Sequence, residues 1–84
     1  MNKTFSDIAW ENYLYWQSEN KKILKKINDL IRDIERNEND GLGKPEPLKH
    51  ALAGYWSRRI TESHRLIYFI DENNIYIVSC KGHY

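Results

Sequence analysis

The most constraining feature of this sequence is a run of apolar residues with helical spacing in its first half. Between positions 23 and 34 an apolar side chain recurs at every third or fourth residue, as on one face of an α-helix. These residues are Ile23, Leu24, Ile27, Leu30, Ile31 and Ile34. Charged residues fill most of the intervening positions, so we expect the opposite face to lie in water. The pattern predicts an amphipathic helix that covers a second, apolar layer.

A shorter helix is predicted before this one. Ser6 is a suitable N-cap, Asp7 places a favourable negative charge in the first turn, and the helix extends to about Ser18. Asn20 is in position to cap the second helix. Phe5 closes a short strand ahead of the first helix.

After the helices the pattern changes to that of β-strands. Glycines and prolines between positions 37 and 47 predict a loop. Three segments rich in β-branched and aromatic residues follow, Tyr55–Thr61, Arg65–Ile70 and Ile75–Cys80, with a turn at 71–74. We therefore predict an α+β fold in which two N-terminal helices pack on one face of a small twisted antiparallel sheet. The 84 residues are assigned to one domain, 1–84.

Composition limits the classes of protein that need to be considered. Hydrophobic residues make up 40% of the chain and charged residues 30%, which is typical of a folded globular domain. No segment has the pattern of a signal peptide or a membrane helix, so we predict a cytoplasmic protein. No group of His, Cys, Asp and Glu has the spacing of a metal site, and we predict no metal or other cofactor. Cys80, the single cysteine, is expected to be a small buried apolar side chain.

The excess of basic over acidic residues lies in the second half of the chain. Between positions 44 and 65 the basic residues outnumber the acidic ones and alternate with aromatic residues. They are Lys44, Lys49, Arg58, Arg59 and Arg65. Such a composition is typical of a surface that binds phosphates and stacks bases, but solvated basic strands are also common. The pattern by itself leaves both interpretations open.

The sequence contains candidates for each role in RNA cleavage without a metal. The reaction needs a base for the 2′-hydroxyl proton, an acid for the leaving 5′-oxygen and cations for the charged phosphorane. Glu46, in a loop between two prolines, is a candidate base, and His83 is a candidate acid because an imidazole can be protonated near neutrality. Arg65, Arg59 and Lys49 can bind phosphate oxygens. Each residue type is more often structural or solvated, so none identifies a function alone.

Four segments together resemble the YoeB toxins of the RelE/ParE superfamily. They are residues 43–49 (GKPEPLK), 55–61 (YWSRRIT), 64–68 (HRLIY) and the terminal His83-Tyr84, and the likeness in order and spacing covers essentially the whole chain. The resemblance implies a microbial ribonuclease-like fold of RelE type. It implies a type II toxin that is a ribosome-dependent, metal-independent endoribonuclease, an mRNA interferase that inhibits translation. The implied partners are mRNA in the ribosomal A site, a YefM-like antitoxin and a second copy in a homodimer, with no membrane.

The same resemblance assigns roles to individual residues. Glu46 matches the catalytic carboxylate, Arg65 the arginine that stabilises the transition state, and His83 the acid. The RNA-binding positions are Lys49, Arg59 and Tyr84.

The chain departs from the family pattern in two places. Ser63 stands where the family often has a second Glu, which puts in question how the arginines are oriented. Lys81 and Gly82 are smaller than the residues expected before the terminal pair, so the chain end has more backbone freedom. His50 and His64 are expected to be structural or surface residues.

Two alternatives from other functional classes remain open. A gyrase-poisoning toxin of the ParE branch would share this fold, but it has no need of a paired acid and base. A non-catalytic RNA-binding or ribosome-binding module would keep Lys49, Arg58 and Arg59 and would be indifferent to His83. Assays of mRNA cleavage and gyrase inhibition by the purified protein separate the three.

Overall fold

A computed structural model of the chain describes residues 1–82. Two helices and five strands are present in these residues. In chain order they are β1 (Asn2–Phe5), α1 (Asp7–Glu19), α2 (Lys21–Asn37), β2 (Glu46–Pro47), β3 (Trp56–Arg59), β4 (Arg65–Asp71) and β5 (Asn74–Ser79), with one 3₁₀ turn at His50–Leu52 between β2 and β3.

Both helices begin at the caps that the sequence predicted. The Ser6 side chain accepts a hydrogen bond from the backbone N–H of Ala9, at 3.0 Å. The Asn20 side chain accepts from the N–H groups of Lys22 and Ile23. These side chains satisfy N–H groups that the first helical turn leaves without partners. The helix boundaries are therefore set locally, by residues in contact along the chain.

The sheet has the order β1-β5-β4-β3-β2. The three predicted strands form its centre and pair antiparallel, while β1 pairs parallel to β5, with Asn2 opposite Asn74. The sheet is thus antiparallel except at the β1 edge. The sequence did not predict β2, because Pro45 and Pro47 flank Glu46. Proline is tolerated there because β2 is an edge strand and its outer side needs no partner.

The core lies between the two helices and one face of the sheet, which confirms the predicted α+β layering. Apolar residues of α2 pack against inward side chains of β4 and β5. This part of the core contains Ile27, Leu30, Ile34, Leu66, Tyr68, Ile75 and Ile77. No helix of residues 1–82 combines the length and apolar character required to cross a bilayer.

The opposite side of the sheet, here called the open face, is not covered by either helix. Side chains alternate between the two faces along each strand, and residues paired across strands share a face. The pairings place the following residues on the open face: Glu46, Ser57, Arg59, Arg65, Ile67, Phe69 and Tyr76. Tyr55 lies on the same face, because its ring stacks on that of Phe69. Trp56, Arg58 and Ile60 share the other face and lie on the helix side.

Cys80 is completely buried, as predicted. Its backbone carbonyl accepts a hydrogen bond from the indole Nε1 of Trp16 at 2.9 Å, and its thiol lies 3.7 Å from the carbonyl oxygen of Ala9. Burial raises the pKa of the Cys80 thiol to about 12. The thiol is therefore protonated at neutral pH, and Cys80 supports packing rather than chemistry.

Candidate active site on the open face of the sheet

Glu46 reaches the open face because the loop that carries it pairs with β3. Glu46 lies opposite Ser57 and Pro47 opposite Trp56, and the N–H of Leu48 donates to the carbonyl of Tyr55 at 2.9 Å. The Glu46 residue remains exposed. A short edge strand therefore holds the candidate base at the border of the sheet, in contact with solvent.

Two arginines lie side by side on the same face. Arg59 on β3 is directly opposite Arg65 on β4, and Arg59 is two residues from Ser57, the partner of Glu46. Like charges opposite each other on a sheet repel, so the pair is unfavourable unless an anion binds between or above them. The register places the carboxylate and both cations on three neighbouring strands.

The guanidinium of Arg65 is oriented by the turn between β3 and β4. Its Nη1 donates to the carbonyl oxygens of Thr61 at 2.7 Å, Glu62 at 3.1 Å and His64 at 3.2 Å. Nη2 and Nε form no hydrogen bond within residues 1–82 and can bind an anion. Because backbone carbonyls hold this arginine, its orientation does not require a carboxylate at position 63.

Lys49 lies at the same end of the sheet as Glu46. The two residues line one open hollow together with Pro47 and Leu48. Lys49 is exposed and precedes the 3₁₀ turn, whose first residue, His50, has a positive φ of 60°. The hollow thus brings together a carboxylate and an ammonium group at the rim of the open face.

The other two predicted site residues, His83 and Tyr84, lie outside the residues that the structure describes. The chain that leads to them is held beside Arg65: the N–H of Gly82 donates to Nδ1 of His64, and its carbonyl accepts from the N–H of Arg65, both at 2.8 Å. His64 therefore connects Gly82 to the sheet, a structural role whose partner the sequence did not indicate.

The sequence did not predict the burial of Arg58, whose side chain lies completely buried between the sheet and α2. Its Nη1 donates to the carboxylate of Asp33 at 2.5 Å, and its Nε donates to the hydroxyl of Tyr68 at 3.2 Å. The remaining N–H groups donate to main-chain carbonyls of Glu38, Asp40 and Leu42. An arginine in this position cannot contact RNA, so the expected basic surface does not include Arg58.

The Arg58 contacts determine where the loop before Glu46 lies. Three carbonyls between residues 38 and 42 converge on one guanidinium, and the Gly43 carbonyl then accepts from the N–H of Arg59 at 2.7 Å. At Gly43 a Cβ would lie 2.9 Å from Leu30 Cδ2 and 3.0 Å from the Arg59 carbonyl oxygen. Only glycine fits this approach without displacement, so the path toward Glu46 is closely restricted.

Charge in this buried cluster is balanced by Asp33. The hydrogen bond from Arg58 is the main cause that lowers the pKa of the Asp33 carboxyl below its ordinary value of 3.8, and the N–H of Leu42 adds to it. Burial raises the pKa of Tyr68, which keeps its hydroxyl neutral beside the guanidinium. Residues 1–82 contain no group of three or more His, Cys, Asp or Glu side chains that could hold a metal ion.

Comparison with known proteins gives consistent matches over the chain. The family described as YoeB-like toxin of bacterial type II toxin-antitoxin system matches residues 5–84. Toxin YoeB of Escherichia coli (strain K12) is 52% identical over 84 residues, which is 100% of both chains. The structure of the YoeB dimer from Staphylococcus aureus superposes with a TM-score of 0.95 at 54% identity, and the YoeB-YefM complex from that organism with 0.94 at 55%. Each superposition covers 100% of this chain and 98% of the other.

The Arg58–Asp33 pair makes the stability of the fold depend on acid pH. A carboxyl with a lowered folded-state pKa contributes stability above its ordinary value and loses that contribution as the pH falls through the folded value. We expect Asp33→Asn to destabilise the protein by about 3 kcal/mol at pH 7, because a buried guanidinium loses its charged partner. This difference should shrink below about pH 4 as wild-type Asp33 is protonated.

Urea unfolding at a series of pH values from about 7 to about 2 measures this difference directly. Asp29→Asn is the matched control, since Asp29 pairs with Lys25 on the exposed surface of α2 and should have little effect. A difference between wild type and Asp33→Asn that stayed constant with pH would contradict the assignment.

Proposed function

Because the chain belongs to the family of YoeB-like toxins of bacterial type II toxin-antitoxin systems, we propose that it is a ribosome-dependent endoribonuclease. In this proposal it cleaves mRNA in the ribosomal A site and inhibits translation. The observation that carries the proposal is the placement of Glu46, Arg59 and Arg65 on one open face by the register of β2, β3 and β4. A carboxylate beside paired guanidinium groups is suited to a substrate that offers both a proton and a phosphate.

The proposed reaction is an in-line transesterification. Glu46 accepts the proton of a ribose 2′-hydroxyl, whose oxygen attacks the adjacent phosphorus. Arg65 stabilises the negative charge that gathers on the phosphorane, with Arg59 and Lys49 binding the same or neighbouring phosphates. The bond to the 5′-oxygen breaks as His83 donates a proton to that oxygen. The products are a 2′,3′-cyclic phosphate and a 5′-hydroxyl.

Both proton transfers in this scheme are assigned to side chains, so neither requires a bound metal. Ribosomal presentation is proposed because the open face has only a shallow hollow at Glu46, which is too open to fix the geometry of a flexible strand alone.

The proposed protein partners are a YefM-type antitoxin and a second copy of the chain. The S. aureus relatives have been solved as a YoeB dimer and as a YoeB-YefM complex. Helix α1 adds support, because several large apolar side chains remain exposed on it, including Ile8, Trp10 and Tyr15. Exposed apolar patches of this kind are typical of surfaces that bind another protein.

Incubation of the purified protein with mRNA on programmed ribosomes tests the proposed function. We expect cleavage that persists with EDTA, on ribosomes whose integrity has been verified, and products with 2′,3′-cyclic phosphate ends. Glu46→Gln is the control, since an amide cannot accept the proton and activity should be lost. A parallel gyrase assay tests the ParE-type alternative. Products with 3′-hydroxyl ends would show that the proposed mechanism is wrong.

Replacement of Arg65 separates transition-state stabilisation from binding. Lys keeps the charge but lacks the planar fork, so Arg65→Lys should lower the cleavage rate by about 10²-fold and change ribosome affinity far less. Single-turnover cleavage and ribosome co-sedimentation measure the two quantities. Arg36→Lys, on the exposed surface of α2, is the control and should change neither. Equal losses of rate and affinity in Arg65→Lys would contradict the assigned role.

Replacement of His83 should affect activity without affecting the fold. Terminal residues seldom support a core, whereas general acid catalysis contributes about 10² to 10⁴ in rate. We expect His83→Ala to lower the cleavage rate by a factor in this range. In wild type the rate should fall at alkaline pH as the acid is deprotonated, and in His83→Ala this fall should be absent. Circular dichroism verifies folding. A folded variant that lacks His83 and Tyr84 and still cleaves at the wild-type rate would refute the assignment.

A further inference from the structure

Three aromatic side chains form a continuous stack across the open face. The ring centroids of Tyr55 and Phe69 are 5.3 Å apart, and those of Phe69 and Tyr76 are 4.7 Å apart, with an interplanar angle of 11° in both pairs. Phe69 lies opposite Tyr76 in the β4–β5 register, and Tyr55 immediately precedes β3. We call these three residues the aromatic ladder.

The aromatic ladder is not part of the hydrophobic core. The core cluster consists of side chains between the helices and the other face of the sheet, and none of the three ladder residues belongs to it. All three are partly exposed. Parallel stacking on adjacent strands holds the rings in a fixed orientation. The three side chains would therefore lose little flexibility when a ligand stacks on them.

The ladder shares its face with the candidate active site. Ser57 and Arg59 of β3 lie on this face together with Tyr55, the residue before the strand, and along β4 the series is Phe69, Ile67 and Arg65. Each arginine lies four positions along the chain from its ladder residue, which is about 13 Å at about 3.3 Å per residue. The open face therefore carries cations at one end and stacked rings at the other, with the position of Glu46 between them.

This arrangement matches the two parts of a nucleotide. Single-stranded nucleic acid is bound by cations that follow its phosphates and by aromatic rings on which its bases stack. A strand whose scissile phosphate lies at Arg59 and Arg65 can extend along the open face and place a flanking base at the ladder. Each stacked base contributes about fivefold to 150-fold in affinity, with little dependence on sequence.

We propose that the aromatic ladder is a base-stacking platform for a nucleotide of single-stranded RNA next to the scissile step. The inference rests on the proposed function for the identity of the substrate. It adds a binding subsite at Tyr55, Phe69 and Tyr76, on the opposite side of Glu46 from the paired arginines.

The test uses a short 2′-O-methyl oligoribonucleotide, which keeps bases and phosphates but offers no 2′-hydroxyl for cleavage. Binding is measured by fluorescence anisotropy without ribosomes. Tyr76→Leu removes a ring while remaining apolar, and we expect about tenfold weaker binding. Tyr76→Phe keeps the ring and should bind like wild type. Tyr13→Leu is the control, since Tyr13 belongs to a separate aromatic cluster with Phe5 and Trp10.

A matched oligonucleotide without bases shows whether the ring acts through stacking. It retains the phosphates but has no base to stack, so wild type should bind it less tightly than the intact oligonucleotide. For the same reason, Tyr76→Leu should cause no additional loss of affinity for it. Tyr55→Leu, checked by circular dichroism and thermal unfolding, provides a second variant at the other end of the ladder. Ladder variants that are folded and bind the intact oligonucleotide like wild type would overturn the proposal. If they have instead lost binding to YefM, the ladder is a protein-binding surface.

The failure of this inference can be distinguished from failure of the proposed function. Cleavage of mRNA on ribosomes tests the proposed function and is measured on wild type alone. If wild type does not cleave but its oligonucleotide binding depends on the ladder, the RNA-binding subsite is supported and the nuclease assignment is wrong. If wild type cleaves and the oligonucleotide binding of the variants is unchanged, the subsite is wrong and the nuclease assignment remains.

Discussion

The buried guanidinium of Arg58 is the interaction on which the arrangement of the open face depends. A charged group can be buried only if its donors are paired, and here all five N–H groups have acceptors within residues 1–82. Three of those acceptors are backbone carbonyls of one loop. Satisfying the buried charge therefore requires the loop to close over the sheet, and Glu46 follows that loop after only a few residues. The need to pair the buried guanidinium of Arg58 in the core thus helps to position Glu46 on the opposite face of the sheet.

Strand β3 connects the two sides of the molecule. Arg58 points into the core and Arg59 points to the open face, because successive side chains on a strand alternate. The same strand pairs with the loop segment that carries Glu46 and with the strand that carries Arg65. The carboxylate and the cations are therefore held by backbone hydrogen bonds of one sheet, and a sheet of this kind is more rigid than a set of loops.

His64 and Arg65 hold Gly82 in the same region. Because Gly82 binds the backbone of Arg65 as well as the ring of His64, the last described residue lies beside one of the candidate catalytic cations. The turn that precedes Arg65 also orients its guanidinium through three carbonyls. Backbone carbonyls of the turn, and not a side chain at position 63, therefore orient this guanidinium.

Local patterns in the sequence determined the elements of this protein. The apolar spacing from Ile23 to Ile34 predicted α2, and the caps Ser6 and Asn20 predicted where both helices start. Alternation along a strand puts Arg58 and Arg59 on opposite faces. Each of these signals arises between residues that are neighbours in the chain. The resemblance to a known family assigned Glu46 and Arg65 without explaining what holds them. Only the tertiary structure decided the parallel pairing of β1 with β5, the edge strand at Glu46, the partners of Arg58, the contact of His64 with Gly82 and the aromatic ladder. These contacts join segments far apart in the chain, and which donor meets which acceptor is settled by how the layers pack rather than by any local pattern.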